Sequence, residues 1–168
     1  MSVDDTGRSE RPTQEITVTV NGESVTAEVE PRLKLSDFLR SHLELRTVRV
    51  GCEQGVCGAC TVEFDGTVAK SCMLYAVQAD GREVTTVEAL SEDGNLHPIQ
   101  EAFHEEHALQ CGFCTSGFLM ATRDLLAENP DPEREEIEGA LADNICRCTG
   151  YQNIYDAVET AADKLEGE

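Results

Sequence analysis

The loop that decides the fold reads Gly51-Cys-Glu-Gln-Gly-Val-Cys-Gly-Ala-Cys-Thr61 and places three cysteines within nine residues. Thiolates this close in sequence converge on one metal centre only if the backbone wraps tightly around that centre. Glycines at positions 51, 55 and 58 alternate with the cysteines and tolerate the positive φ angles of a tight loop. They also let backbone N–H groups approach the sulfur atoms. The stretch therefore predicts a metal-binding loop.

The spacing of these cysteines indicates which metal centre is bound. Cys52, Cys57 and Cys60 form a C-x4-C-x2-C run, and Cys72 follows after eleven further residues and an Asp-Gly turn. This is the ligand pattern of a plant-type 2Fe–2S cluster. The alternatives are zinc, which favours separated C-x2-4-C pairs, and uncoordinated thiols. No signal peptide is visible, so the cysteines are interpreted as metal ligands in a reducing cytoplasm rather than as disulfides.

A second set of four cysteines lies further along the chain. Cys111 and Cys114 form C-x2-C, and Cys146 and Cys148 form C-x-C after 31 intervening residues. A bundle of four helices can bring both turns to the same end, where helix N-termini stabilise the negative charge of a metal–thiolate cluster. Zinc stays open here from spacing alone, although a single residue between two cysteines does not give the usual zinc-knuckle geometry.

Hydrophobic periodicity divides the rest of the chain into two parts. Residues 15–90 predict a β-rich α+β unit: alternating apolar residues flank Asn21-Gly22, the strongest short hairpin signal, and an amphipathic helix follows at 35–43. Residues 91–168 predict four helices, and residues 1–14 a disordered tail. The expected helices are 98–108, 115–128 with Thr115 or Ser116 as cap, 132–143 with Asp131 as cap, and 151–165.

The charge excludes several classes of partner. The formal net charge is −20, and there are 33 acidic residues but only three lysines. Such a surface repels phosphate backbones and anionic lipid, so nucleic-acid binding and membrane insertion are not expected. The acidity either keeps the protein in solution or adapts it to a high-salt cytoplasm, where counterions screen the self-repulsion. No G-x-G-x-x-G nucleotide motif is present.

Three motifs, in this order, closely resemble those of the small iron–sulfur subunit of molybdenum hydroxylases, the family of xanthine dehydrogenase, aldehyde oxidoreductase and aerobic carbon monoxide dehydrogenase. They are the loop at 51–61, Gln110-Cys-Gly-Phe-Cys-Thr115 and Asn144-Ile-Cys-Arg-Cys-Thr-Gly-Tyr151. The resemblance runs from about residue 16 to 165. One departure is Ser116, where the family usually has proline. Because this position is in the first turn of a helix, serine leaves cluster ligation intact.

The resemblance implies a fold and a function. The fold is α+β: a plant-type ferredoxin-like (β-grasp) domain followed by an all-α four-helix-bundle domain, each with one 2Fe–2S cluster. Electrons would pass from a molybdopterin-binding large subunit to the cluster of the second cysteine set, then to that of the first set, then to an FAD-binding medium subunit. Gln110 and Cys148 match positions that contact the pterin cofactor. The hetero-oligomer would oxidise a substrate carbon, and this chain would contribute no catalytic residue.

Two other functions are compatible with the residues. One is a free-standing two-cluster electron carrier, which would be active without partner subunits. The other is a zinc-stabilised interaction module, which would contain zinc and no acid-labile sulfide.

Overall fold

A computed structural model describes residues 11–91 and 93–167 of the chain. Its first half contains a five-stranded mixed sheet in the order β2-β1-β5-β3-β4. Strand β5 pairs in parallel with β1 and antiparallel with β3, and the other two pairs are antiparallel hairpins. The strands are β1 (Gln14–Val20), β2 (Glu23–Val29), β3 (Thr61–Phe64), β4 (Thr67–Lys70) and β5 (Glu83–Thr85).

The alternation in sequence decides which face of the sheet is buried. Ile16, Val18 and Val20 of β1 point into the core, whereas their neighbours face outward. Helix α1 (Leu35–Asp37), which continues as a π-helical turn over Phe38–His42, covers this face. The predicted α+β class is therefore confirmed.

Of the predicted tail, residues 1–10 lie outside the described part of the chain. Gln14 already pairs with Val29, so the first strand begins one residue earlier than the sequence pattern predicted. Arg11 forms an ion pair with Glu30 at 3.2 Å, which connects the start of the described chain to the end of β2.

The second half is helical. Its helices are α2 (Pro98–Glu105), α3 (Thr115–Glu128), α4 (Arg134–Leu141) and α5 (Gln152–Glu166). They share one apolar core, separate from the core under the sheet, with Phe103, Phe118 and Ile154 fully buried at its centre. No helix within residues 11–91 and 93–167 combines the length and apolarity needed to cross a bilayer.

Two predicted helix caps were wrong. Helix α3 has the predicted bounds, but its N-cap is Cys114. The hydroxyls of Thr115 and Ser116 are buried, and neither has a hydrogen-bond partner in the part of the chain that the structure describes. Helix α4 begins at Arg134 rather than at 132, because Glu133 and Glu136 form a capping box in which the Glu136 carboxylate accepts the Glu133 N–H at 2.8 Å.

Candidate iron–sulfur sites

The first cysteine set lies where the loop before β3 meets the turn after β4. Cys60 and Cys72 are buried against the sheet core, whereas Cys52 and Cys57 are half-buried near the surface. Cys60 directly precedes β3, and Cys72 follows β4 in a short 3₁₀ turn at Ser71–Met73. The hairpin therefore delivers the distant fourth thiol to the loop, as the sequence predicted.

Backbone N–H groups are aimed at the sulfur of Cys52. Gln54 and Cys57 each donate an N–H to Cys52 Sγ at 3.4 Å. These bonds lower the pKa of Cys52 to about 6, so the loop stabilises a thiolate at this position. Burial raises the pKa of Cys60 to about 11. Because iron binds the thiolate, loading this pair of positions with metal releases protons.

The second set lies at the start of α3 and in the connection between α4 and α5. Cys114 directly precedes α3, and Cys146 and Cys148 lie in the loop that leads into α5. The Sγ atoms of Cys111 and Cys148 are 3.6 Å apart, although 36 residues separate them in sequence. Both residues are exposed, whereas Cys146 is buried and Cys114 half-buried. The helices thus bring together two turns that are distant in sequence.

Thr149 and Tyr151 hold Cys146 in place. Thr149 donates both its hydroxyl, at 3.1 Å, and its backbone N–H, at 3.4 Å, to Cys146 Sγ. The backbone N–H of Cys146 is donated to Tyr151 Oη at 3.1 Å. Burial raises the pKa of Cys146, but hydrogen bonds from Thr149, Cys148 and Cys114 together outweigh it, and the pKa lies below its ordinary value. At Cys114, by contrast, burial raises the pKa to about 12.

Thiols of the same set lie close to one another. In the first set Cys52 interacts with Cys57, and Cys60 with Cys72. In the second set Cys114 interacts with Cys146 and Cys111 with Cys148, and Cys111 and Cys148 also lie near Cys146. Over the described ranges, no three His, Cys, Asp or Glu side chains gather closely enough to hold one metal ion. Four thiolates of this kind fit a 2Fe–2S cluster, in which each of two irons takes two cysteine sulfurs.

The two cysteine loops touch each other. The backbone N–H of Ile145, next to Cys146, donates to the carbonyl oxygen of Cys57 at 2.9 Å. Beside this bond neither Gly58 nor Gly117 has room for a Cβ atom, because a Cβ on Gly58 would meet Asn144 and Asp143. A Cβ on Gly117 would lie 2.2 Å from the Gly58 carbonyl oxygen. Ligand loops of the two domains therefore meet through backbone contacts.

Two residues at this contact, Gly117 and Asn144, were not assigned a structural role from sequence. Asn144 is 2% exposed, and its side-chain amide lies against Gly58 with no hydrogen-bond partner within residues 11–91 and 93–167. The contact of Thr149 with a ligand sulfur could have been predicted from sequence, because Thr149 carries a hydroxyl and follows the predicted ligand Cys146 by three residues. Gln110 is exposed beside Cys111, so the structure brings the predicted pterin-contacting residues Gln110 and Cys148 to one surface.

Models of two protein families match this chain over two segments that overlap at residues 86–94. Residues 18–94 match a 2Fe–2S iron–sulfur cluster binding domain, and residues 86–159 match a second 2Fe–2S binding domain. Each segment contains one of the two cysteine sets. The chain is therefore an electron-transfer protein with two 2Fe–2S-binding domains.

Similar proteins identify the family more narrowly. The small subunit of nicotine 6-hydroxylase from Paenarthrobacter nicotinovorans is 53% identical over 90% of this chain and 91% of its own length. Subunit gamma of caffeine dehydrogenase from Pseudomonas sp. (strain CBB1) is 49% identical over 90% of this chain and 92% of its own. A chain of quinoline 2-oxidoreductase from Pseudomonas putida 86 superimposes with a TM-score of 0.89 at 45% identity, covering 92% of this chain and 97% of that one.

This chain belongs to the small iron–sulfur subunits of molybdenum hydroxylases. Its role as the electron-transfer subunit of an oxidoreductase complex follows from that membership, and the predicted family and function are confirmed.

Proposed function

We propose that this chain carries electrons, one at a time, from a molybdopterin-binding large subunit to an FAD-binding medium subunit. The cluster on Cys111, Cys114, Cys146 and Cys148 receives each electron and passes it to the cluster on Cys52, Cys57, Cys60 and Cys72. The observation that carries the transfer between the two clusters is the hydrogen bond from Ile145 N–H to the Cys57 carbonyl, because it joins the two cysteine loops through a few backbone atoms.

Exposed residues at each of the two cysteine sites support a contact with a partner subunit at that site. Gln110, Cys111 and Cys148 lie together on the surface, and we assign the pterin contact to Gln110 and Cys148. Near the first site, Val56 is 60% and Met73 51% exposed, which is high for apolar side chains beside a metal-binding loop. Apolar surface of this kind is covered when partner subunits assemble, so we expect the flavin subunit here.

We also propose the domain arrangement that the sequence predicted. The ferredoxin-like domain spans 15–90 and the helical domain 91–168. Two separate apolar cores support a division in this region, and Val87 and Leu90, at the end of the first domain, pack in the helical core. The helical domain is a four-helix bundle, and the single core shared by α2 to α5 supports this arrangement.

The charge supports a location in a cytoplasm rich in salt. With a net charge of −20, repulsion between carboxylates opposes folding unless counterions screen it. We therefore infer that the chain is adapted to high ionic strength.

Iron analysis and electron paramagnetic resonance (EPR) of the purified complex test the proposal. We expect two distinct signals after reduction, and co-purification with a large and a flavin-binding chain. Cys148→Ser is expected to lose one signal, and the matched variant Cys57→Ser the other. Zinc without acid-labile sulfide would overturn the proposal, and full electron-transfer activity of the isolated chain would favour a free-standing carrier.

A further inference from the structure

The sulfur of Cys146 accepts a hydrogen bond from a side-chain hydroxyl, which the sulfur of Cys52 does not. The donors to Cys52 Sγ, Gln54 and Cys57, are both backbone N–H groups at 3.4 Å. Cys146 Sγ also accepts a backbone N–H, from Thr149, but the Thr149 hydroxyl donates to it at the shorter distance of 3.1 Å. A side-chain donor can be removed by substitution, whereas a backbone N–H is present in almost every sequence.

The surroundings fix the direction of this hydroxyl. Tyr151 donates its backbone N–H to Thr149 Oγ1 at 3.2 Å, which occupies a lone pair and leaves the hydroxyl proton for the sulfur. Tyr151 has a φ of +72°, a strained value for a residue other than glycine, and its Oη accepts the Cys146 N–H. Thr149 is half-buried and Cys146 is 7% exposed, so water competes weakly for the bond.

We propose that Thr149 is a positioning residue that raises the reduction potential of the cluster bound through Cys146. Reduction adds one electron to the cluster, and part of its negative charge falls on the ligand sulfurs. An O–H donor aimed at one of these sulfurs stabilises the reduced form more than the oxidised form. The proposal rests on the proposed ligation by Cys146, and it names the residue that favours electron entry at this cluster.

The test compares Thr149→Val with Thr149→Ser in the assembled complex. Valine keeps the shape of threonine but has no hydroxyl, and serine keeps the hydroxyl. In an EPR-monitored redox titration, we expect valine to weaken electron affinity at the second cluster roughly tenfold, which is about 59 mV for a one-electron couple. Serine is expected to stay within about twofold of wild type, or about 18 mV. The signal lost in Cys148→Ser identifies the second cluster.

Thr160→Val provides the matched control. Its hydroxyl donates to the Glu106 carboxylate at 2.9 Å in the helical domain, so this variant loses the same chemical group without touching the cysteines named above. We expect it to leave both potentials unchanged. A second-cluster potential in Thr149→Val within about 18 mV of wild type, or an equal shift at the first cluster, would overturn the proposal.

A measurement on the wild-type complex covers the case in which Thr149→Val does not assemble. The hydroxyl proton exchanges quickly with solvent, so brief transfer into D2O should remove one strongly coupled proton from the electron–nuclear double resonance spectrum of the second cluster. An unchanged spectrum would overturn the role of Thr149. A wild-type complex without iron at this site would instead overturn the proposed function, so the two failures can be distinguished.

Discussion

Because Gly58 and Gly117 approach closely, we predict that Gly117→Ala destabilises the protein, although such a substitution normally stabilises a helix. Gly117 lies within α3, and replacing a helical glycine with alanine normally stabilises a helix by about 1 kcal/mol. Here the new Cβ would lie 2.2 Å from the Gly58 carbonyl oxygen and 3.0 Å from Asn144 Oδ1. An ordinary contact begins near 3.4 Å, so α3 and the first cysteine loop must separate by about 1 Å.

The size of the effect follows from these opposing contributions. Overpacking of this kind costs about 1–3 kcal/mol, and the upper end applies here because the Gly58 carbonyl is a backbone group and cannot rotate away as a side chain can. After subtraction of the helix gain, Gly117→Ala should destabilise the protein by about 2 kcal/mol, which lowers Tm by roughly 4–8 °C for a chain of this size. The separation should also weaken the magnetic coupling between the two reduced clusters.

Gly139→Ala is the matched control for this substitution. Gly139 lies in α4, and a Cβ there would meet nothing within 4 Å. It should gain about 0.5–1 kcal/mol of stability. Thermal unfolding followed by circular dichroism under anaerobic conditions measures both variants. If Gly117→Ala unfolded at or above the wild-type temperature, as Gly139→Ala should, the close contact between the cysteine loops would be refuted.

Two further predictions concern charge. Burial raises the pKa of Glu88, but hydrogen bonds from Thr47 and Thr86 outweigh it and lower the pKa below the ordinary value of 4.5. Its stabilising contribution is therefore complete above pH 4.5 and is lost as pH falls through the folded-state pKa. Glu88→Gln should cost about 1–2 kcal/mol at neutral pH and remove this part of the acid sensitivity in urea titrations at several pH values. Separately, Tm should rise between about 0.1 and 1 M KCl as the screening length falls from roughly 10 to 3 Å, and a flat salt profile would contradict salt adaptation.

The sequence predicted most of the elements because their signals are local. Alternating valines and Asn21-Gly22 define the first hairpin, and the observed pairing of Val18 with Val25 follows from that turn. The bounds of α3 also follow from local periodicity. The start of α4 was misplaced because two local signals compete there, the Asp131-Pro132 pair and the capping box between Glu133 and Glu136.

The contacts between the domains could not be predicted in the same way. Gly58 and Gly117 are far apart in sequence, and nothing local to either indicates that their backbones will meet. The same holds for the parallel pairing of β1 with β5, which is only two residue pairs long. Cysteine spacing indicated which thiols belong to each set, but the hydrogen bond from Ile145 to Cys57 depends on how both domains pack.

The chemical nature of this junction matters for the proposed adaptation to high salt. Electron transfer between two clusters slows steeply with distance, so the separation of the cysteine loops must not vary with the ionic environment. The bond from Ile145 to Cys57 and the contact of Gly58 with Gly117 involve neutral backbone groups, which salt does not screen. An ion pair between Arg123 of α3 and Glu63 of β3 also joins the domains, but half-exposed pairs contribute little. Added KCl should therefore raise the unfolding temperature and leave the coupling between the reduced clusters unchanged. Coupling that weakened with salt would mean that charge, rather than backbone packing, holds the two domains together.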